Sequence, residues 1–257
     1  MERSAALRKR RRARLLGALI CVTALAGFVL FYDSSADEGP LERAGARSDP
    51  SPSAAPEPAC DAEAPAPPAT QDYSEAPPMT LDKDIDYGAV VSTSCGDIEM
   101  DLLEKDAPIT VNNFVFLAEE GFYDGLKFHR VEQNSIIQGG DPEETGRGGP
   151  GYGIPDELPK NPKKYTFGAV AMANNGPGTG GSQFFVVVHD ADPEDGYEPA
   201  GYRPYYSIFG LVDPSDVASA ETITTIAMQE TKTSDDPSIA TQPVRPIYIE
   251  SIEITTD

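Results

Sequence analysis

Tryptophan is absent from the 257 residues, histidine occurs only at His129 and His189, and cysteine only at Cys21, Cys60 and Cys95. So few nitrogen and sulfur ligands, placed so far apart, argue against a metal site. Basic residues are scarce beyond the amino terminus. Seven of the 20 Lys and Arg and one of the 42 acidic residues fall in the first 32 positions, which leaves 13 basic against 41 acidic. Such a surface repels nucleic acid and favours solubility over membrane docking, and it says nothing about fold. Familiar motifs are missing too. The glycines of Gly146–Gly151 lack the Gly-Lys-Ser/Thr ending of a phosphate loop. Ser182, in GSQFF, lacks the Gly-x-Ser-x-Gly elbow of a hydrolase nucleophile. The acids of His189–Glu198 miss calcium-loop spacing because Asp195-Gly196 comes one residue late, so this segment reads as a solvated acidic loop.

Large apolar residues are nearly missing from residues 33–80, which are rich in Pro, Ala, Ser and acid. Such a chain cannot bury enough surface to offset its entropy, so a disordered linker is expected there, reaching at most roughly 150 Å at about 3.1 Å per residue. Before it, a basic segment, residues 1–14, precedes Leu15–Tyr32, 18 residues without a charge. As a helix that run is roughly 27 Å long against a hydrocarbon core of about 30 Å, so it reads as a transmembrane anchor or a signal h-region. The basic cluster places the amino terminus inside and the rest outside the cytoplasm. Cys21 lies within the run as an apolar side chain. Outside the cell, Cys60 and Cys95 are disulfide candidates, the alternative being two unrelated thiols, and a bridge of that span is worth about 3–4 kcal/mol.

Residues 81–257 read as one globular domain. Tyr87–Ser94 and Ile98–Leu103 form a hairpin about Gly96-Asp97. Pro108 and a Thr110 cap then open a helix carrying Val111, Phe114, Val115, Leu117 and Ala118, stopped by Gly121. Phe128–Val131, Ile136–Gly139, Phe167–Met172, Phe184–Val188 and Ser207–Val212 follow as strands. Pro214-Ser215 starts a second helix through Met228, and Val244–Ile254 is a final alternating strand. The class is mainly β, organised as a closed eight-stranded antiparallel barrel with a helix at each end.

Within Phe128–Asp141, FHRVEQNSIIQGGD, alternation sets Phe128 and Arg130 against His129 and Val131, and Arg130 and Gln138 face one groove from neighbouring strands. A half-buried arginine is either a structural ion pair or a donor aimed at a ligand. Four ordered pieces, FHR…Q-GGD, G-x-GGPGY, MAN-x-GP-x-T-x-GSQFF and YSIFG (Tyr206–Gly210), resemble the cyclophilins, the barrel-shaped peptidyl-prolyl isomerases, over about Tyr87–Ile254. The resemblance implies that Arg130 contacts the prolyl amide and that Gln138 orients it and binds the carbonyl side. It implies that Ala173, Asn174 and Asn175 hydrogen-bond the peptide backbone, that Gln183 and Gly146 line the groove, and that Phe185 walls the proline pocket. Ser135 and Ile136 stand where the family usually has an aromatic and a methionine, so one apolar wall is lost. Tyr206 occupies a histidine position and partly refills the pocket. Tyr202-Arg203-Pro204-Tyr205 covers a further pocket position without a residue-by-residue match, and His129 reads as a packed strand histidine. No cofactor is implied. The expected partners are proline-containing polypeptides, the membrane through the amino-terminal helix, and cyclosporin-like ligands, with a monomeric chain. The expected function is prolyl isomerisation in exported or envelope proteins; the alternative is a catalytically weakened proline-peptide-binding chaperone or scaffold.

Overall fold

In the hairpin that opens the domain, Tyr87–Thr93 (β1) buries alternate residues and pairs antiparallel with Gly96–Leu102 (β2). The turn is tied by the Thr93 hydroxyl, which donates to the Gly96 carbonyl and accepts from the Cys95 N–H. This computed structural model describes residues 58–66, 71–82, 84–160, 165–189 and 205–257. All belong to one compact unit, residues 55–257. The basic segment, the apolar run Leu15–Tyr32, most of the linker, the acidic loop beyond His189 and Tyr202-Arg203-Pro204 lie outside the described residues. Among the described residues, no helix is long and apolar enough to cross a membrane.

Six more strands follow: Phe128–Glu132 (β3), Ile136–Gly139 (β4), Ala169–Met172 (β5), Phe184–Val187 (β6), Ser207–Leu211 (β7) and Ile249–Thr256 (β8). They join one antiparallel sheet in the order β3-β4-β6-β5-β7-β2-β1-β8. The expected closed barrel is not a continuous ladder. Among the described residues, its edge strands β3 and β8 approach through one bridge, Lys127 to Tyr248, and bonds such as Phe128 N–H to the Ile247 carbonyl, 2.9 Å. The expected long last strand begins only at Ile249; Pro246, with no N–H to give, sits in the irregular stretch before it.

Helix Pro108–Glu119 (α1) starts at a proline, as the sequence suggests, but Thr110 is not its cap. The carboxylate of Glu157 accepts from the N–H groups of Ile109 and Thr110, at 3.0 and 2.8 Å, and from the Thr110 hydroxyl. A charge at this end also meets the positive pole of the helix. Helix Val217–Ala227 (α2) begins later than Pro214-Ser215 suggests, because the Asp216 side chain caps it through Ala218 and Ser219. A short helix, Pro237–Ala240 (α3), was not expected. Phe114 of α1 enters the core between Phe209, Tyr123 and Phe184, with ring centroids 4.9, 5.4 and 5.8 Å away. Ile223 and Ile226 of α2 are fully buried. Burying each such side chain contributes about 1.5–3 kcal/mol.

Two stretches assigned to the linker by composition are held on the domain. Cys60 is disulfide-bonded to Cys95, Cα atoms 5.2 Å apart. Next to it, buried Ala59 donates to the Pro246 carbonyl, and Arg245 pairs with Asp61 and donates to the Pro58 carbonyl. Residues 71–81 form a strap. Tyr73 donates its N–H to the Pro150 carbonyl and sets its ring edge-on against Phe116, and buried Asn112 accepts from Thr80 and Leu81 and donates to Pro78. One aromatic ring and one buried amide thus dock a segment whose composition favours disorder. Replacing Cys60 and Cys95 with serine is expected to lower stability by about 3–4 kcal/mol, the cost of reopening the 35-residue loop. Denaturant unfolding with and without reductant checks this; coincident curves would contradict it.

Candidate active site

A bulge decides where Arg130 points. Phe128 pairs with Gly139 and Arg130 with Gln138, so two β3 steps oppose one β4 step. Strict alternation would put Phe128 and Arg130 on one face, as the sequence suggests. Instead Phe128 and Val131 both enter the core, and Arg130 is turned to the other side of the sheet. His129, inside the bulge, is buried with no partner for its Nδ1 among the described residues. Loss of water lowers its pKa, opposed by the charges of Asp141 and Glu144, so it stays a neutral packed side chain.

From Arg130 a chain of hydrogen bonds runs across the sheet. Its Nη1 donates to Gln138 Oε1 at 2.9 Å, Gln138 Nε2 donates to Gln183 Oε1 at 3.0 Å, and Gln183 Nε2 donates to Asp141 Oδ2 at 3.2 Å and to the Gly148 carbonyl at 2.8 Å. Every step passes a donor from the cation towards the carboxylate, which fixes both amides in one orientation. Asp141, fully buried, also accepts from the N–H groups of Glu143 and Gly146, at 2.8 and 2.6 Å, and so shapes the glycine-rich loop. A Cβ on Gly148 would lie 2.0 Å from Asp141 Oδ1, so only glycine fits there.

Arg130 is also bound to a carboxylate. Its Nε and Nη2 both donate to Glu132 Oε1, at 3.1 and 2.5 Å, two residues along the same strand. Of the five N–H groups of a guanidinium, these bonds and the one to Gln138 use three. The side chain stays 42% exposed, so it is both tethered and accessible. Of the two readings of a half-buried arginine, the ion pair is present, and two N–H groups are left outside these bonds.

On one flank Ile136, Phe185 and Tyr206 share an apolar cluster with Ala171, Val187 and Ile208, with half-buried Ser135 leading into β4. Phe185, the expected wall of the proline pocket, is 3% exposed, with Tyr206 edge-on at 5.2 Å. Tyr165 brackets Tyr206 through its phenol, which donates to the Tyr206 carbonyl at 2.7 Å; burial raises its pKa to about 12. On the other flank lies a groove of about 890 Å³, bounded by Gln138, Gln183, Gly146, Ala173, Asn174 and Asn175. The Asn174 side chain is turned to the protein: its amide donates to the Tyr205 carbonyl at 2.7 Å and its oxygen accepts from Gly176. Asp156 accepts from Gly178, while adjacent Glu157 caps α1, so one dipeptide holds both the 174–179 loop and the helix. Glu132, Asp141, Asp156, Glu157 and the strap residues were not singled out from sequence. For Glu132 a signal existed, since an acid two positions from Arg130 on a strand shares its face.

Residues 89–254 match the family model for cyclophilin-type peptidyl-prolyl cis-trans isomerases. A peptidyl-prolyl cis-trans isomerase of Helicobacter pylori is 50% identical over 108 residues, 42% of this chain and 66% of that one. Peptidyl-prolyl cis-trans isomerase A of Mycobacterium tuberculosis is 40% identical over 182 residues, 65% of this chain and 91% of that one. The crystal structure of a Cryptosporidium parvum cyclophilin-type isomerase, 30% identical, superposes with a TM-score of 0.55 over 67% of this chain and 99% of its own. The chain belongs to the cyclophilin-type peptidyl-prolyl cis-trans isomerases.

Glu132→Ala is expected to lower kcat/KM for prolyl isomerisation about twofold to fivefold, the scale of a solvent-screened ion pair that holds the Arg130 fork, with Glu132→Gln restoring most of it. A faster Glu132→Ala enzyme would show that the carboxylate quenches the arginine instead.

Proposed function

We propose that this chain accelerates rotation about X–Pro bonds in exported or envelope polypeptides, with Arg130 as the catalytic residue. The planar amide sets a barrier of about 18–20 kcal/mol, while cis and trans differ by only about 0.5–1 kcal/mol. No bond breaks, so the catalyst need only favour the twisted amide, whose nitrogen becomes pyramidal and regains a lone pair. A charged donor held against that nitrogen binds the twisted state better than either planar one. The observation that carries this reading is the relay from Arg130 through Gln138 and Gln183 to Asp141, which presets a guanidinium that keeps N–H groups outside the relay. Gln138 and Gln183 hold the carbonyl side, Ala173, Asn174 and Asn175 offer backbone along the groove, Gly146 bounds it, and the prolyl ring packs on the apolar flank at Tyr206, which Phe185 and Ile136 back from within the cluster. Proline-containing polypeptides are the partners, and a cyclosporin-like ligand would enter the same groove. A crystal structure of the Cryptosporidium parvum isomerase was obtained in the presence of the dipeptide Ala-Pro.

A second reading, a proline-peptide-binding chaperone with weakened catalysis, is favoured by the closed Phe185 and by Ser135, which supplies no apolar wall. A coupled prolyl-peptide assay separates the two. Arg130→Ala is expected to lose about 100- to 1,000-fold in kcat/KM, the effect of one preorganised donor. Activity equal to wild type would leave only the binding reading. Ser135→Phe is expected to raise activity by restoring the wall, and an unchanged or lower rate would count against Ser135 as a pocket position.

We further propose that the chain is a monomer held at the cell membrane by Leu15–Tyr32, with the domain outside the cytoplasm. The basic residues before that run and the Cys60–Cys95 disulfide, a bond typical of oxidising compartments, support the placement outside the cytoplasm. Protease added to whole cells is expected to digest the domain; a shielded domain would reverse the topology.

A further inference from the structure

We infer that the strap ahead of the family-matched residues 89–254 forms a working wall of the peptide groove, and that its Asp72 selects peptides with a basic side chain amino-terminal to the X–Pro bond. The inference rests on the isomerase reading for the direction of the peptide. If Gln138 holds the carbonyl side, chain preceding that carbonyl runs past Gln138 and Gln183 into the 890 Å³ groove. The stretch of wall at Gly146, Gly148, Gly149 and Gly151 is largely glycine, which offers backbone but no side-chain selectivity. Selectivity must come from side chains at the rim, and two of those, Gln71 and Asp72, belong to the strap.

The strap is built to stay there. Tyr73 is bonded to the Pro150 carbonyl at 2.8 Å, its ring stands edge-on to Tyr152 at 6.4 Å, and its hydroxyl donates to Gln71 Oε1 at 2.7 Å. Gln71 Nε2 donates to the Glu120 carbonyl at 3.1 Å, so that amide is committed at both ends. Asp72 differs. Its Oδ1 lies 2.0 Å from where a Cβ on Gly151 would stand, so the carboxylate rests on the glycine wall, where any side chain at 151 would displace it. It is exposed and has no hydrogen-bond or ion-pair partner among the described residues. The other charged groups lining the groove are Glu143 and Arg147, so acids outnumber bases there, in a chain of formal net charge −22. A lysine or arginine side chain is the complementary group.

The test uses the full chain and peptides carrying Lys, Ala or Glu at successive positions amino-terminal to the X–Pro bond. At one of these positions the wild type is expected to prefer Lys over Glu in kcat/KM by about twofold to fivefold, the scale of an exposed ion pair. Asp72→Asn is expected to remove most of that preference and Asp72→Lys to invert it. Absence of the preference in the wild type, or its survival in Asp72→Lys, overturns the inference. Failure of the isomerase reading would show separately, as Arg130→Ala matching wild type. The same Lys-to-Glu ratio is then read from peptide dissociation constants by calorimetry, with the same two outcomes deciding.

Discussion

The orientation of one guanidinium is the constraint on which the site depends. A charged fork on a sheet surface has many rotamers, and each is solvated about equally well until neighbours distinguish them. Here Glu132 takes two N–H groups and Gln138 a third, and Gln138 is itself held by Gln183, which is held by buried Asp141. Because the amides donate in one direction only, reversing any of them would set two donors or two acceptors face to face. The cation at one end and the carboxylate at the other therefore keep the whole row in register. The same Asp141 shapes the glycine loop that lines the groove, so the order of the arginine and the shape of the groove have a common origin.

The rest of the fold makes that row possible. The core of Phe114, Phe184 and Phe209 fills one face of the sheet and leaves the other for the polar row. Phe184 and Phe185 are adjacent in β6 and so point to opposite faces, one into the core and one into the apolar flank of the site. The disulfide and the strap fasten the chain that precedes the first strand at two places, beside α2 and beside the groove. Family membership covers residues 89–254, yet part of the groove rim comes from before them.

Much of this was legible beforehand where a local pattern was enough. The strand cores, the β1–β2 hairpin, both main helices and the placing of Arg130 and Gln138 on neighbouring strands follow from periodicity, turn residues and two short runs separated by a polar break. The bulge at His129 was not legible, since Phe-His-Arg-Val alternates as regularly as any simple strand. Nor was the cap of α1, because Glu157 is 47 residues beyond the Thr110 it meets and no local spacing relates them. Composition placed 71–80 in the linker, and a single tyrosine and a buried asparagine overruled it.

By itself the sequence determined which residue types were available and in what order: an arginine and two glutamines in the quoted motifs, a glycine-rich run to wall a channel, two cysteines beyond the apolar run. Tertiary structure alone decided that Arg130 turns away from the core, that Glu132 shares its charge, that Tyr206 covers Phe185, and that Asp72 reaches the groove. The physical reason is range. Propensity and periodicity act over a few residues, whereas a bulge, a ring contact or a carboxylate against a glycine wall depends on distances set only when remote segments pack.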